Sequence, residues 1–459
     1  MNVKYKHFLA FLLFTAMLTL SACQSKNSEE TRDMHGQGEN TLKVYINNES
    51  PSDSSIIYKA INMFKEKNSE VEFIINNIES FDGYSKRLST ELMAGEGPDV
   101  LLINNYIDLP LHKIMNSEAL LNLNEFIKDD KLFDNDDYNK VVMDSGVYKG
   151  KRFLLPISYR VSAFITTESL LSNNDFQIRT DNWTQNNLIE QVNRLKTRDS
   201  NDGKIYYSYR RMLFRDWFNN TGHKYIDYEK GKVSLNTTEF IEILNNYKKL
   251  QDINIPRDEV LKYNGNIYNI MKDNKLIAYD SDDLLSPKIL WSEANNAKYY
   301  LGAEVKLYPS PTIDGSRGYA AEPESMLAIN NNCKNKQLAY SFIKTFLTED
   351  FQVFETENGL PIPVNKKAYE KLLKQYMGEE GTGKKIKSFD GNEYLSEPLS
   401  PTLNKEVHDI VDNISICEIY NKDVMNMILK ELSKFVNDNC TVEEAAEQME
   451  RKLRLYLNE

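Results

Sequence analysis

Between Leu42 and Ile103 the apolar residues change period from two to three-and-a-half and back, and this alternation constrains the fold more than any other feature. Leu42-Lys43-Val44-Tyr45-Ile46 alternates like a strand. Ser54 and Ser55 offer caps for a helix with Ile57, Ala60, Ile61 and Phe64 on one face. Val71 to Ile75 reads as a second strand, and a second helix carries Tyr84, Leu88, Glu91 and Leu92. After a turn at Gly95-Glu96-Gly97-Pro98, Asp99 leads into Val100-Leu101-Leu102-Ile103, a continuous apolar run suited to a strand buried on both faces. A βαβαβ series predicts a parallel sheet with helices on both sides, hence an α/β fold. Ligands of such sheets sit beyond the carboxyl ends of the strands. Here those ends are Asn47-Asn48-Glu49 and Asn104-Asn105-Tyr106.

Further along, Tyr148-Lys149-Gly150-Lys151 reads as a tight turn, and Arg152 to Ile157, with Pro156, as an extended crossing. Residues 183 to 253 are mainly helical in pattern, with Ile241, Leu244, Tyr247 and Leu250 on one face. Lys275 to Tyr279 and Ser325 to Ile329 read as short strands, and Gln337 to Leu347 as an amphipathic helix. Helices are expected from Asn404 to Ile419, Lys422 to Val436 and Val442 to Tyr456. Gly378 to Asp390 is expected to be an exposed loop, and no repeat of fixed period is present.

The N-terminus has its own logic. Lys4, Lys6 and His7 precede an apolar run from Phe8 to Leu20, about a dozen residues and too short to span a hydrocarbon core of roughly 30 Å. It reads as a signal peptide, residues 1–22. Leu20-Ser21-Ala22-Cys23 resembles a lipobox, which implies cleavage before Cys23 and lipid on its thiol; the alternative is an ordinary secretory signal ending near a cysteine. Residues 23–40 are polar, without an apolar period, and should be a flexible tether. No later stretch approaches membrane-spanning length. The expected location is the extracellular face of a cell membrane, and the abundance of Asn, Lys and Ile points to a Gram-positive source.

Of 459 residues, more than 400 remain after the signal, too many for one ordinary core and suited to two lobes. The formal net charge is −12, and loss of two lysines and no acids with residues 1–22 makes it −14. That argues against nucleic acid, whose phosphates need a basic footprint. Cys333, Cys417 and Cys440 form no disulfide framework. Cys417 and Cys440 bridge only if their helices meet, and otherwise pack as apolar residues.

Four segments together resemble a family 1 extracellular solute-binding protein, the maltose-binding-protein-like lipoproteins that feed ABC importers. They are Tyr84-Ser85-Lys86-Arg87-Leu88 through Gly95-Glu96-Gly97-Pro98-Asp99-Val100, and Gly146-Val147-Tyr148-Lys149-Gly150-Lys151 through Leu155-Pro156-Ile157. The others are Gly231-Lys232-Val233-Ser234-Leu235, and Leu327-Ala328-Ile329 through Asn335-Lys336-Gln337-Leu338-Ala339 and Phe342-Ile343. The resemblance implies two α/β lobes joined by crossing segments, with the ligand in the cleft between them. It places one lobe at 41–155 and 310–358, and the other at 156–309 and 359–459. It also implies a small-molecule solute, ABC permease partners, no cofactor and a monomer.

The same resemblance nominates the binding residues. Glu49 matches the position after the first strand where the family often holds a ligand-binding acid, or is a solvated loop acid. Asn105 and Tyr106 follow the third strand, where the family places sugar contacts. Arg160 falls where a well-known relative has an acid; it pairs with Glu49 or seeks a carboxylate or phosphate on the solute. Trp217, near Asn219 and Asn220, and Trp291 are stacking candidates, whereas Trp183 fits packing at a helix start. Asp280, Ser281 and Asp282 end a strand of the second lobe, with a helix cap as the alternative for one of them. Glu322 and Glu324 flank Pro323 at the return to the first lobe.

Enzyme motifs are missing: there is no G-x-S-x-G and no H-E-x-x-H. Gly378 to Lys385 mimics a phosphate loop but has Lys385 where Ser or Thr must hold magnesium. Asp199 to Gly203 lacks a calcium-loop pattern, and His35, His112, His223 and His408 have no metal-ligand spacing. The expected function is capture of a sugar or oligosaccharide by cleft closure for an ABC importer. The alternatives are the same fold taking an anionic or peptide-like solute, a sensor lipoprotein, or a secreted glycan-active enzyme.

Overall fold

The computed structural model describes residues 40–47, 55–78, 81–104, 108–133, 136–197, 206–208, 214–251, 254–316, 318–359 and 361–458. Cys23, the tether to residue 39, Glu49, Asn105 and Tyr106 lie outside them.

The opening βαβαβ series forms as its periodicity predicts. Strand β1 (Thr41–Asn47) runs parallel to β2 (Glu72–Ile78) along its whole length, and meets β3 (Val100–Asn104) in parallel at Val44–Val100. Helix α1 (Ile56–Lys65) buries Ile57, Ala60, Ile61 and Phe64, the four residues its spacing put on one face. Helix α2 (Phe81–Met93) buries Tyr84, Leu88 and Leu92. The strands feed both faces of the sheet. Leu42, Val44, Ile46, Val100 and Leu102 pack on the α1 side, while Tyr45, Leu101 and Ile103 pack on the α2 side. Between α2 and β3 the chain needs left-handed backbone, φ 77° at Gly95 and 101° at Gly97, which glycine adopts without strain. Asp99 then locks β3 in place: its carboxylate accepts from Lys43 N at 2.7 Å, and its backbone carbonyl accepts from Asn330 N at 2.9 Å.

The sheet is completed by later parts of the chain and becomes mixed. Strand β4 (Leu155–Val161) leads across Ser162 directly into β5 (Ala163–Thr167), which belongs to a second sheet with β6 (Tyr206–Ser208), β7 (Leu276–Ser281) and β8 (Val305–Pro309). After residues 310–318 the chain returns as β9 (Tyr319–Ile329), whose eleven residues are all buried. Strand β10 (Ile362–Pro363) edges the first sheet beside β4, and β11 (Ile414–Cys417) pairs parallel to β9. The first sheet thus has the order β10-β4-β9-β3-β1-β2, with β11 on β9; the second has the order β8-β5-β7-β6.

Helix α3 (Leu111–Asn116) packs on the first sheet's outer core, with Leu111, Ile114 and Met115 buried. In the second lobe, α4 (Phe214–Asn219), α5 (Thr238–Gln251), α6 (Lys422–Val436) and α7 (Val442–Asn458) share one apolar core with Phe164 of β5. Two expectations need correction. The helix read from Asn404 to Ile419 stops at Val411 and is followed by β11, because burial of Ile414 and Cys417 against β9 overrides the local pattern. The loop read at 378–390 contains a short helical turn, Glu379–Gly381, and the first arm of a hairpin, Lys385–Lys387 with Glu393–Leu395. Cys333, Cys417 and Cys440 are free thiols. No described helix is long and apolar enough to cross a membrane.

Candidate functional site

Where β4 and β9 leave the first sheet for the second, their residues face groups from the second lobe. Arg160 of β4 stands opposite Glu322 of β9 in the ladder. Its Nη2 donates to Glu324 Oε1 at 3.0 Å, and its Nε lies 2.8 Å from Oε2 in the same ion pair. From just beyond β7, Asp282 and Asp283 each reach Arg160 Nη1 at 3.2 Å. Asp282 is shared with a second arginine, Arg215 of α4, at 3.3 Å. Arg215 also lies 3.2 Å from Asp216 and 3.7 Å from Glu322. Burial raises the pKa of Glu324, against the pull of Arg160. Burial acts to lower that of Arg215, but Glu322, Asp216 and Asp282 outweigh it, and the net shift is upward. The cluster ties both lobes together and is packed tightly, leaving a gap of only about 20 Å³ between Arg160, Arg215, Asp282 and Glu322.

The roomy space lies beside it. A cavity of about 590 Å³ is bounded by α3 on the first lobe, by the turn at 226–229 on the second, and by residues 415–421, where β11 leads into α6. That volume falls within the range of small-molecule sites. Four rings wall it: His112, Tyr148, Tyr228 and Tyr420. Tyr420 joins the cavity to the ion-pair cluster, since the Arg215 guanidinium sits 5.3 Å from its ring centroid. Four of the charged groups of the wall are in ion pairs, and the fifth, Glu229, is held by a backbone N–H. Lys224 lies 3.3 Å from Glu418, Asp227 lies 3.2 Å from Lys230, and Asp144 lies 2.7 Å from Arg152. Glu229 accepts from Lys149 N at 2.6 Å. Burial raises the pKa of Glu418 against the pull of Lys224, and burial raises those of the Tyr148, Tyr228 and Tyr420 hydroxyls. The wall therefore offers aromatic faces, hydroxyls and carboxylates, with its one lysine already engaged.

Of the nominated residues, Arg160, Asp282, Glu322 and Glu324 come together. Arg160 is gripped by the protein's own acids, so the expectation that it seeks a solute carboxylate or phosphate gains no support from its surroundings. Asp280 stays within β7, opposite Phe164 of β5. Trp217 is 2% exposed in the second-lobe core, its indole N–H donating to Ile243 O at 3.1 Å, so it has no free face for stacking. Trp291 is set apart, its N–H facing Gly381 O and Glu397 O at 3.1 and 3.2 Å. Trp183 is core, as its helix-start position suggests. Glu49, Asn105 and Tyr106 are outside the described residues. Sequence reasoning passed over Arg215, Tyr228 and Tyr420, none of which belongs to a motif.

The chain is similar to several solved structures. A sugar-binding protein MalE from Xanthomonas citri matches with a TM-score of 0.65 and 13% identity, covering 91% of this chain and 97% of that one. A cyclic alpha-maltosyl-1,6-maltose binding protein from Arthrobacter globiformis matches with a TM-score of 0.61 and 15% identity over 92% and 99%. An ABC substrate-binding protein from Listeria monocytogenes, in complex with cycloalternan, matches with a TM-score of 0.59 and 14% identity over 91% and 99%. At such identities the likeness is one of fold. No curated protein matches. A family described as bacterial extracellular solute-binding protein matches residues 47–353, from the end of β1 into the second helix after β9, Glu349–Glu357. With two-thirds of its length so matched, and with its two-lobe α/β fold, the chain belongs to the family of bacterial extracellular solute-binding proteins.

Proposed function

We propose that this chain is the solute-capturing subunit of an ABC importer, held on the outer face of the membrane by lipid on Cys23, and that it takes a neutral sugar or oligosaccharide. The carrying observation is the cavity of about 590 Å³ walled by His112, Tyr148, Tyr228 and Tyr420, whose one lysine, Lys224, is already paired with Glu418. Aromatic faces suit the C–H surfaces of sugar rings, and polar groups bind hydroxyls strongly once closure excludes water. Two of the similar structures are named for cyclic or maltose-containing sugars, which supports the same reading. The mechanism is closure of two lobes about the crossing strands, not bond chemistry. For the lobes we propose β1–β4 and β9–β11 on one side and β5–β8 with α4–α7 on the other, which moves residues 156–161, 362–363 and 414–417 to the first lobe from the second, where the resemblance read from the sequence places them.

A thermal-shift screen tests the solute class. Maltose, maltotriose and cycloalternan are expected to raise the melting temperature in a dose-dependent way, while citrate and tripeptides leave it unchanged, because a ligand of the folded state stabilises it by mass action. A shift with citrate or peptides and none with sugars would refute the assignment.

A further inference from the structure

One edge of the cavity is a contact between α3 and elements of the second lobe, with one imidazole at its centre. His112 of α3 lies between two rings of the other lobe: Tyr228 at 5.4 Å and Tyr456 of α7 at 5.5 Å between centroids. Its Nδ1 is 3.1 Å from the side-chain amide nitrogen of Asn421, the residue capping α6. A hydrogen bond from that amide requires a lone pair on Nδ1, so the ring proton is on Nε2, which is buried without a hydrogen-bond partner among the described residues. The same imidazole lines the cavity.

We propose that His112 makes closure acid-sensitive: the neutral ring holds the lobes together, and its protonation opens the cavity and releases the solute. This rests on the reading that the cavity closes over a solute.

Protonation would put a donor on Nδ1 facing the Asn421 donor, and a charge between two tyrosines. On its own helix the ring has Lys113, whose ammonium is 4.7 Å from the Tyr456 ring. Asp108, just before that helix, is 3.2 Å from Lys422 of α6 and is thereby balanced. Asp423 of α6 is the acid that favours the charged ring, but it is bonded by the Tyr456 hydroxyl at 3.2 Å. The turn carrying Tyr228 brings Glu229, which accepts from Lys149 N. Burial first, then Lys113, outweigh Asp423 and push the closed-state ring from 6.5 down to about 4. The sign follows: a ring whose closed-state pKa is depressed binds its proton preferentially in the open form, so closure is fullest above 6.5 and weakens as pH falls. With those two values the closing equilibrium falls about 30-fold between pH 7.5 and pH 5.0.

Small-angle X-ray scattering on the full mature chain, without any added solute, reads this as an increase in radius of gyration between those pH values. The proposal expects the increase in wild type and its loss in H112Q, which is neutral throughout. No increase in wild type, or an equal one in H112Q, overturns it. Should H112Q not fold, titrating the His112 ring protons by NMR in wild type serves instead: a midpoint between 4 and 6.5 that coincides with the increase in radius of gyration supports the proposal, and a midpoint at 4 or below, or at 6.5 or above, overturns it. Neither readout needs a solute, so a failed sugar screen leaves this test intact.

Discussion

Only three tryptophans occur in the chain against 27 tyrosines, and scarcity makes each indole conspicuous as a stacking surface. The fold spends Trp217 on the second-lobe core and uses Tyr148, Tyr228 and Tyr420 to wall the cavity. A common residue carries no contrast in sequence, so the tyrosines that matter could not be told from those that pack. Charge was more legible. Arg160 and Glu324 were nominated from their places on crossing segments, but their mutual pairing depends on the β4–β9 register, which no local pattern reports. Replacing Trp217 with Ala is expected to lower the unfolding free energy by about 3–5 kcal/mol, the usual cost of emptying a large core side chain. Chemical denaturation measures it. Loss of solute affinity at near-unchanged stability would instead restore Trp217 as a platform.

Among the elements, those built from neighbouring residues were readable and those built from distant ones were not. The βαβαβ series and α1 follow from period alone. Strand β11 could not be separated from a helix, because Ile414-Ser415-Ile416-Cys417 is too short to show a period and its partner, β9, lies some 90 residues earlier. The Gly95–Asp99 turn was recognisable as a motif, and the structure supplies its reason: Asp99 accepts the Lys43 N–H and so joins β3 to β1. Changing Asp99 to Ala leaves that partly buried donor without its acceptor. The expected cost is about 1–3 kcal/mol, seen as a lower denaturation midpoint with an unchanged slope. A drop below half a kcal/mol would mean that the junction is held by the strands alone.

At the scale of the whole molecule, the chain moves between two sheets through β4–β5 and through residues 310–318, so the first sheet is assembled from separated stretches while the second draws on one. Pairs such as Asn104–Ser325 join residues over 200 positions apart, beyond the reach of local pattern; only the resemblance to a family made that arrangement expected. The anchor belongs to this scale too. If Cys23 carries lipid, C23S is expected to move the protein from the membrane fraction to the medium without altering its melting temperature; equal membrane retention by both forms would refute the anchor. The central claim is that a sugar sits in the cavity beside Tyr420. Isothermal titration calorimetry of the sugar that best stabilises the chain tests it most directly, on wild type and on Y420A. One site per chain is expected, weakened about tenfold by the substitution, or about 1.4 kcal/mol. Equal affinity in the two proteins, or no sugar bound by either, would contradict it.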